Sequence, residues 1–187
     1  MDYSPLFCFL SEESVAAHKE YLYRLKAKYS ILELSEPRLC GVPFEKIPEL
    51  RGKADIFREA YIEKRLVDLH ELYFDSFAAR GRGCELLPSG FSSLSDLQYK
   101  LYCTAMDENR PVDFLTVLGN LRTGEVRFTT EREVFRHEKP LAAIDLAEHA
   151  YFNDYGFCRE EYLKAAILHL NLSLISDFVK EWNKKRA

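Results

Sequence analysis

Apolar residues recur at helical spacing in two long segments of the N-terminal half. Residues 11–29 place one histidine among apolar residues on a single face: Val15, His18, Leu22 and Leu25. Residues 54–79 repeat the arrangement: Leu66, His70, Tyr73, Phe74 and Phe77 share a face. Ser11 and the two glutamates that follow it are a typical helix start. The pattern predicts two long helices, each with a histidine in its apolar stripe.

The helices are separated by segments rich in proline and glycine. Residues 34–52 contain three prolines and two glycines, which predicts an irregular connection. Glycines and a proline between residues 81 and 90 mark a second break, after which the pattern changes. We therefore divide the chain into an N-terminal helical hairpin domain, residues 1–80, and a C-terminal α/β domain, residues 81–187.

Short strand-like runs appear only in the C-terminal part. They are residues 113–119, 125–130 and 141–146, with a turn at Asn120 and Gly124 joining the first two. Helical patterns flank them at residues 92–106, 160–170 and 173–182. The predicted fold class is α+β: a long N-terminal helical hairpin followed by a small three-stranded antiparallel sheet with flanking helices.

Composition narrows the class of protein. The 187 residues are 47% hydrophobic, which suits one compact domain or two small lobes sharing a core. A net charge of -4 argues against a nucleic-acid partner. No apolar stretch is long enough to cross a membrane, and the N-terminus does not resemble a signal peptide. Five cysteines without a C-x-x-C pair predict reduced, mostly buried thiols and a cytoplasmic location.

The histidines are the first candidates for chemistry. A single histidine on an apolar face is usually a core residue, but His18 and His70 lie on two separate inward stripes, so that one site could use both. Asp145 and His149 add a carboxylate and an imidazole four residues apart, although this spacing also fits a capped helix start. The chain has no E-x-x-H pair, G-x-S-x-G elbow or phosphate-binding loop.

The stretch from Ile144 to Tyr155, I-D-L-A-E-H-A-Y-F-N-D-Y, resembles the D-x-W-E-H-A-Y-Y signature of iron/manganese superoxide dismutases. L-S-E-E-S-V-A-A-H places His18 at the family's first-helix ligand, and L-V-D-L-H-E-L-Y-F places His70 at the second. The resemblance implies one iron or manganese ion per subunit, held by His18, His70, Asp145 and His149. It also implies superoxide as the substrate, with dioxygen and hydrogen peroxide as products.

The resemblance also implies roles around the ion. R-H-E-K-P-L places His137 where the family has the hydrogen-bond partner of the metal-bound solvent; a surface histidine is the alternative. Lys26 stands at the family's gateway tyrosine, eight residues after His18. Arg159 matches an arginine of the anion funnel, and Lys26 would also lie at its mouth. Either charge could instead be solvated surface.

A homodimer is the implied assembly. In the family, the glutamate at Glu148 crosses the subunit interface to the other subunit's metal-binding histidine. Leu22 and Phe152 replace a histidine and a tyrosine that bond across the same interface. Because both partners of that bond have become apolar together, no polar group is left without a partner. We therefore expect Glu148, Phe152 and Leu22 at a two-fold interface.

The aromatic residues expected around the metal differ from those of the family. Ala147 and Phe74 stand where the family has tryptophan, and the only tryptophan is Trp182. These changes leave two alternatives to an active dismutase. One is a dismutase-like metal-binding or assembly protein with weak or altered redox activity. The other is a metal-dependent oxidase or peroxidase with a remodelled pocket.

Overall fold

The computed structural model describes five stretches of the chain: residues 3–50, 54–78, 83–107, 113–130 and 137–186. The first two contain the predicted hairpin. Helix α1 spans Glu12–Ser35 and helix α2 spans Ala54–Asp75. A short 3-10 helix, Ser4–Cys8, precedes α1. The predicted start of α1 is correct, because the Ser11 hydroxyl accepts a hydrogen bond from the Ser14 N–H at 3.1 Å.

The two long helices end at different places from those predicted. Helix α1 continues six residues past residue 29 and stops at Ser35, just before Pro37. Helix α2 stops at Asp75, short of residue 79. There the backbone leaves the helix to meet the C-terminal region: Asn171 N–H donates to the Ser76 carbonyl at 2.8 Å, and Phe77 pairs with Leu170. A tertiary contact therefore sets the end of α2.

The connection between α1 and α2 is more ordered than its composition suggests. It contains two 3-10 helices, Pro37–Leu39 and Phe44–Glu49. Leu39, Phe44 and Ile47 are buried, so this connection closes one end of the hydrophobic core.

The C-terminal part confirms the α+β prediction. Helix α3, Leu94–Ala105, precedes the strands β1, Phe114–Asn120, β2, Val126–Thr129, and β3, Glu138–Asp145. The strands are antiparallel in the order β2-β1-β3. A 3-10 helix, Glu148–Ala150, leads into three helices: α4, Phe152–Tyr155, α5, Arg159–His169, and α6, Ser173–Lys184.

The central strand β1 carries the core. Its first six residues are buried, and α2 packs against the neighbouring strand β3. The hairpin, the sheet and the C-terminal helices all contribute to one hydrophobic cluster. At one end of the sheet, Phe114 pairs with Asp145. Asp145, the last residue of β3, therefore lies against the inner face of the hairpin.

Two further observations concern the thiols and the helices. The expectation of mostly buried cysteines is wrong: Cys8, Cys40, Cys103 and Cys158 are exposed, Cys84 is half-buried, and none forms a disulfide.

Across the residues that the structure describes, no helix is both long and apolar enough to span a membrane.

The predicted turn between β1 and β2 depends on Gly124. Its φ of +74° is in the left-handed region, and a Cβ there would lie 2.2 Å from the Trp182 ring. We predict that Gly124→Ala lowers the free energy of unfolding by about 2–4 kcal/mol, since strain and overlap add. The control is Gly41→Ala, with a φ of +68° and no atom within 4 Å of its Cβ, which isolates the strain. Equal losses in urea unfolding of the two variants would contradict the packing assigned to Trp182.

Candidate metal centre

Four side chains from distant parts of the sequence meet at one point. His18 comes from α1, His70 from α2, Asp145 from the end of β3, and His149 from the 3-10 helix that follows. Each offers one potential ligand atom, and these atoms all lie within 4.8 Å of one another. The two stripe histidines and the D-x-x-x-H pair of the sequence thus belong to a single cluster.

The cluster is centred on one carboxylate oxygen. Asp145 Oδ2 lies 3.0 Å from His149 Nε2, 3.1 Å from His18 Nε2 and 3.2 Å from His70 Nε2. The Nε2 atoms of His70 and His149 are 3.3 Å apart. All three imidazoles therefore present the same ring nitrogen to the same small volume.

Contacts outside the cluster fix its carboxylate. Asp145 Oδ1 accepts a hydrogen bond from the Ala147 N–H at 2.9 Å, which leaves Oδ2 for the histidines. The Tyr162 hydroxyl donates to the Asp145 backbone carbonyl at 2.8 Å. Burial raises the pKa of Tyr162 well above its usual value, so this phenol keeps the proton that it donates.

One histidine is oriented in a similar way. His70 Nδ1 lies 2.6 Å from the Leu66 carbonyl. A carbonyl can only accept, so Nδ1 carries the proton and Nε2 keeps a lone pair that points to the cluster.

The cluster is buried and holds charge. His18, His70 and Asp145 are buried, whereas 34% of the His149 side chain is exposed. Burial by itself raises the pKa of Asp145, but its contacts with His149, His18 and His70 outweigh that effect and hold the pKa well below its usual value. Burial lowers the pKa of His18 against the opposing effect of Asp145. Asp145 is therefore ionised at neutral pH, and His18 favours its neutral form.

This donor set fits a metal ion. His18 Nε2 and Asp145 Oδ2 are buried, and neither makes a hydrogen bond of good geometry despite their 3.1 Å separation. Unsatisfied buried polar atoms are costly, and a cation at the centre would satisfy both. Imidazole nitrogens with one carboxylate oxygen are ligands that suit iron and manganese.

Aromatic rings surround the cluster. Tyr73 packs on His18 at 4.8 Å between ring centroids, and Phe114 packs on His70 at 4.9 Å. Tyr21 packs on two of the histidines, and the sequence did not point to it. The available signal was its position on α1, three residues after His18, which places it beside that histidine on the helix surface.

The residues that we predicted around the metal ligands each have their own contacts. Lys26 forms an ion pair with Glu71 at 2.6 Å, beside His70 in the chain. Arg159 Nη2 donates to the Ala105 carbonyl at 3.0 Å, at the end of α3. Glu148 and Phe152 are exposed, close in sequence to His149.

Two predicted roles disagree with the structure. His137 precedes β3, whereas Asp145 ends it; at about 3.3 Å per residue, the 8-residue strand separates them by roughly 25 Å. His137 therefore cannot bond a solvent molecule at its own subunit's cluster. Leu22 was expected at a dimer interface, but its side chain is only 4% exposed. It lies on the inward face of α1 with His18 and packs within its own chain.

The hydrogen bond from Tyr162 to the Asp145 carbonyl yields a prediction. Tyr162→Phe leaves that carbonyl without its donor. We expect this variant to release its metal about tenfold faster than the wild type, as is typical when a residue that hydrogen-bonds a metal ligand is lost. Tyr155→Phe is the matched control, because its hydroxyl bonds the Phe9 carbonyl away from the cluster. Metal release to excess chelator measures both variants. Equal release rates would show that Tyr162 does not hold the aspartate.

Comparison with known families agrees with this geometry. Residues 88–177 match the family described as iron/manganese superoxide dismutases, C-terminal domain. The match includes Asp145 and His149, while the hairpin supplies His18 and His70 from outside it. No curated protein matches the chain at a significant level. Residues 88–177 thus belong, as a C-terminal domain, to the iron/manganese superoxide dismutase family.

Proposed function

We propose that the protein is a superoxide dismutase that holds one iron or manganese ion per subunit. The observation that carries the proposal is the convergence of His18, His70, Asp145 and His149 within 4.8 Å, in a chain whose C-terminal part belongs to this family. An ion at this position would supply one-electron redox chemistry: one superoxide gives up an electron to become dioxygen, and a second takes up that electron and two protons to become hydrogen peroxide.

The chain's own residues prepare the position for a cation. Asp145 supplies a buried negative charge, and the contacts with three imidazoles keep it ionised. Burial lowers the pKa of His18, which keeps its Nε2 lone pair available as a ligand. Tyr73 and Phe74 pack on His18, and Phe114 packs on His70, so these rings exclude water from the two buried imidazoles.

Access to the position is on the side of His149, the partly exposed member of the cluster. A small anion such as superoxide would approach beside its ring. We propose Arg159 as a charge that attracts the anion. Burial raises the pKa of Tyr151, and the positive charge of nearby Arg159 offsets part of that rise. Lys26 is a weaker candidate, since its ion pair with Glu71 offsets its charge.

We also propose that the protein forms a two-fold homodimer. Glu148 and the partly exposed His149 are followed in the chain by an exposed aromatic pair, Phe152 and Phe157, whose ring centroids are 5.2 Å apart. Phe157 is 88% exposed and Phe152 43%. A second copy would bury this apolar surface and bring its own Glu148 toward His149.

One observation favours the alternative of weak or altered redox activity. The sequence has a single tryptophan, and Trp182 packs over Gly124 at the far end of β1 from the cluster. The tryptophans that the family has beside the metal are therefore replaced here by the smaller side chains of Phe74 and Ala147. A wetter pocket would slow the reaction without removing the ion.

Replacing a predicted ligand tests the proposal. His70→Ala should reduce bound iron or manganese from one equivalent per chain to a trace, and superoxide removal should fall to the level of the free ion. His169→Ala is the control, since His169 packs on Phe9 outside the cluster. Elemental analysis and a superoxide assay give the two readouts. One equivalent of metal in the wild type without activity above the free ion would reject a dismutase and favour the alternative.

The homodimer makes a separate prediction. In sedimentation, the wild-type protein should have twice the 21.8 kDa mass of one chain. Phe157→Asp should have the mass of a single chain, because dimerisation would bury its carboxylate in the interface. Leu34→Asp, at a residue 84% exposed on α1, should leave the mass unchanged. A wild-type monomer at micromolar concentration would contradict the proposed interface.

A further inference from the structure

Tyr21 makes a contact that the family signature does not account for. Its ring centroid lies 4.3 Å from that of His149 and 5.2 Å from that of His70. These histidines belong to different elements, the 3-10 helix after β3 and helix α2. One side chain from α1 therefore touches two of the proposed ligands at once.

The contact is most important for His149. His70 is oriented by the Leu66 carbonyl at 2.6 Å. Within the portion of the chain that the structure describes, no comparable bond is seen at His149 Nδ1. His149 is also the member of the cluster that reaches solvent, with 34% of its side chain exposed. Within one subunit its ring is therefore oriented by packing, and the half-buried Tyr21 ring, inclined by 39°, lies against it.

Lys26 cannot supply this contact. It stands at the position where the resemblance places a gateway tyrosine, but its ammonium group pairs with Glu71 at 2.6 Å. Tyr23, also on α1, is 62% exposed and packs on none of the cluster's rings in the described structure. Within the described structure, Tyr21 is thus the tyrosine of α1 that packs on the partly exposed histidine of the cluster.

We propose that Tyr21 is a positioning residue: its ring holds the His149 imidazole toward the ion and covers one face of that imidazole. This inference rests on the proposed function, because it requires an ion at the cluster. Its physical basis is aromatic packing, which favours one ring orientation over the others and removes water from the ring face. The ring, and not the hydroxyl, carries the effect.

The test uses the full chain loaded with Co(II), whose visible absorption reports the geometry of its ligands. Tyr21→Leu removes the aromatic ring, Tyr21→Phe keeps it, and Tyr23→Leu is the control on the same helix. We expect Tyr21→Leu to release Co(II) to excess EDTA about tenfold faster than the wild type and to shift the visible bands. Tyr21→Phe and Tyr23→Leu should match the wild type in both measurements.

The outcomes separate this inference from the proposed function. If Tyr21→Leu released Co(II) at the wild-type rate and kept the wild-type absorption bands, the positioning role would be overturned while the metal site would stand. A change in Tyr21→Phe as large as that in Tyr21→Leu would also overturn it, because the ring would then not be the cause. A wild-type protein that binds neither Co(II), iron nor manganese would reject both. If Tyr21→Leu does not fold, Tyr21→Met replaces it with the same expected results, since methionine adapts to irregular gaps.

Discussion

The structure depends on the contact of three imidazoles with one oxygen of Asp145. Placing an ionised carboxylate inside a protein is expensive. Here three nitrogens lie 3.0 to 3.2 Å from one of its oxygens, and a cation held among these four ligand atoms would offset that cost. The arrangement requires both helices of the hairpin and the end of β3 to arrive together. The Tyr162 hydroxyl and the Ala147 N–H hold the aspartate from behind, so the histidines share its remaining oxygen. Hairpin and sheet are therefore joined through a polar centre within the shared hydrophobic core.

The sequence predicted the helices and strands because they depend on periodic patterns, whereas the full cluster of four residues followed only from the resemblance to a known family. His18 and His70 each lie in an apolar stripe at helical spacing, and a stripe that faces the core carries its histidine inward. The strands followed from β-branched and apolar runs bounded by turn residues, and the left-handed φ of Gly124 explains the turn. These features are local, so one sequence is enough to predict them.

The features that depend on tertiary contacts were missed or misplaced. Helix α2 ends where Ser76 and Phe77 turn to pair with the C-terminal region, which no local pattern reveals. His137 is close to Asp145 in the sequence, but an extended strand carries it to the opposite end of the sheet. Leu22 and Tyr21 are neighbours on α1, yet one faces the core and the other covers the cluster. A difference of one residue turns a helix by about 100°, which decides between these roles.

The cluster contains the four residues that the resemblance implies as ligands, while the residues around it differ from the family pattern. Trp182 lies over the turn at Gly124, and Lys26 is engaged with Glu71. Anomalous diffraction at the iron and manganese absorption edges, from crystals of the purified protein, tests the central claim most directly. The account predicts one peak per subunit, within bonding distance of His18, His70, Asp145 and His149. Crystals of metal-replete protein with no peak there, or with the imidazoles turned away from Asp145, would contradict it.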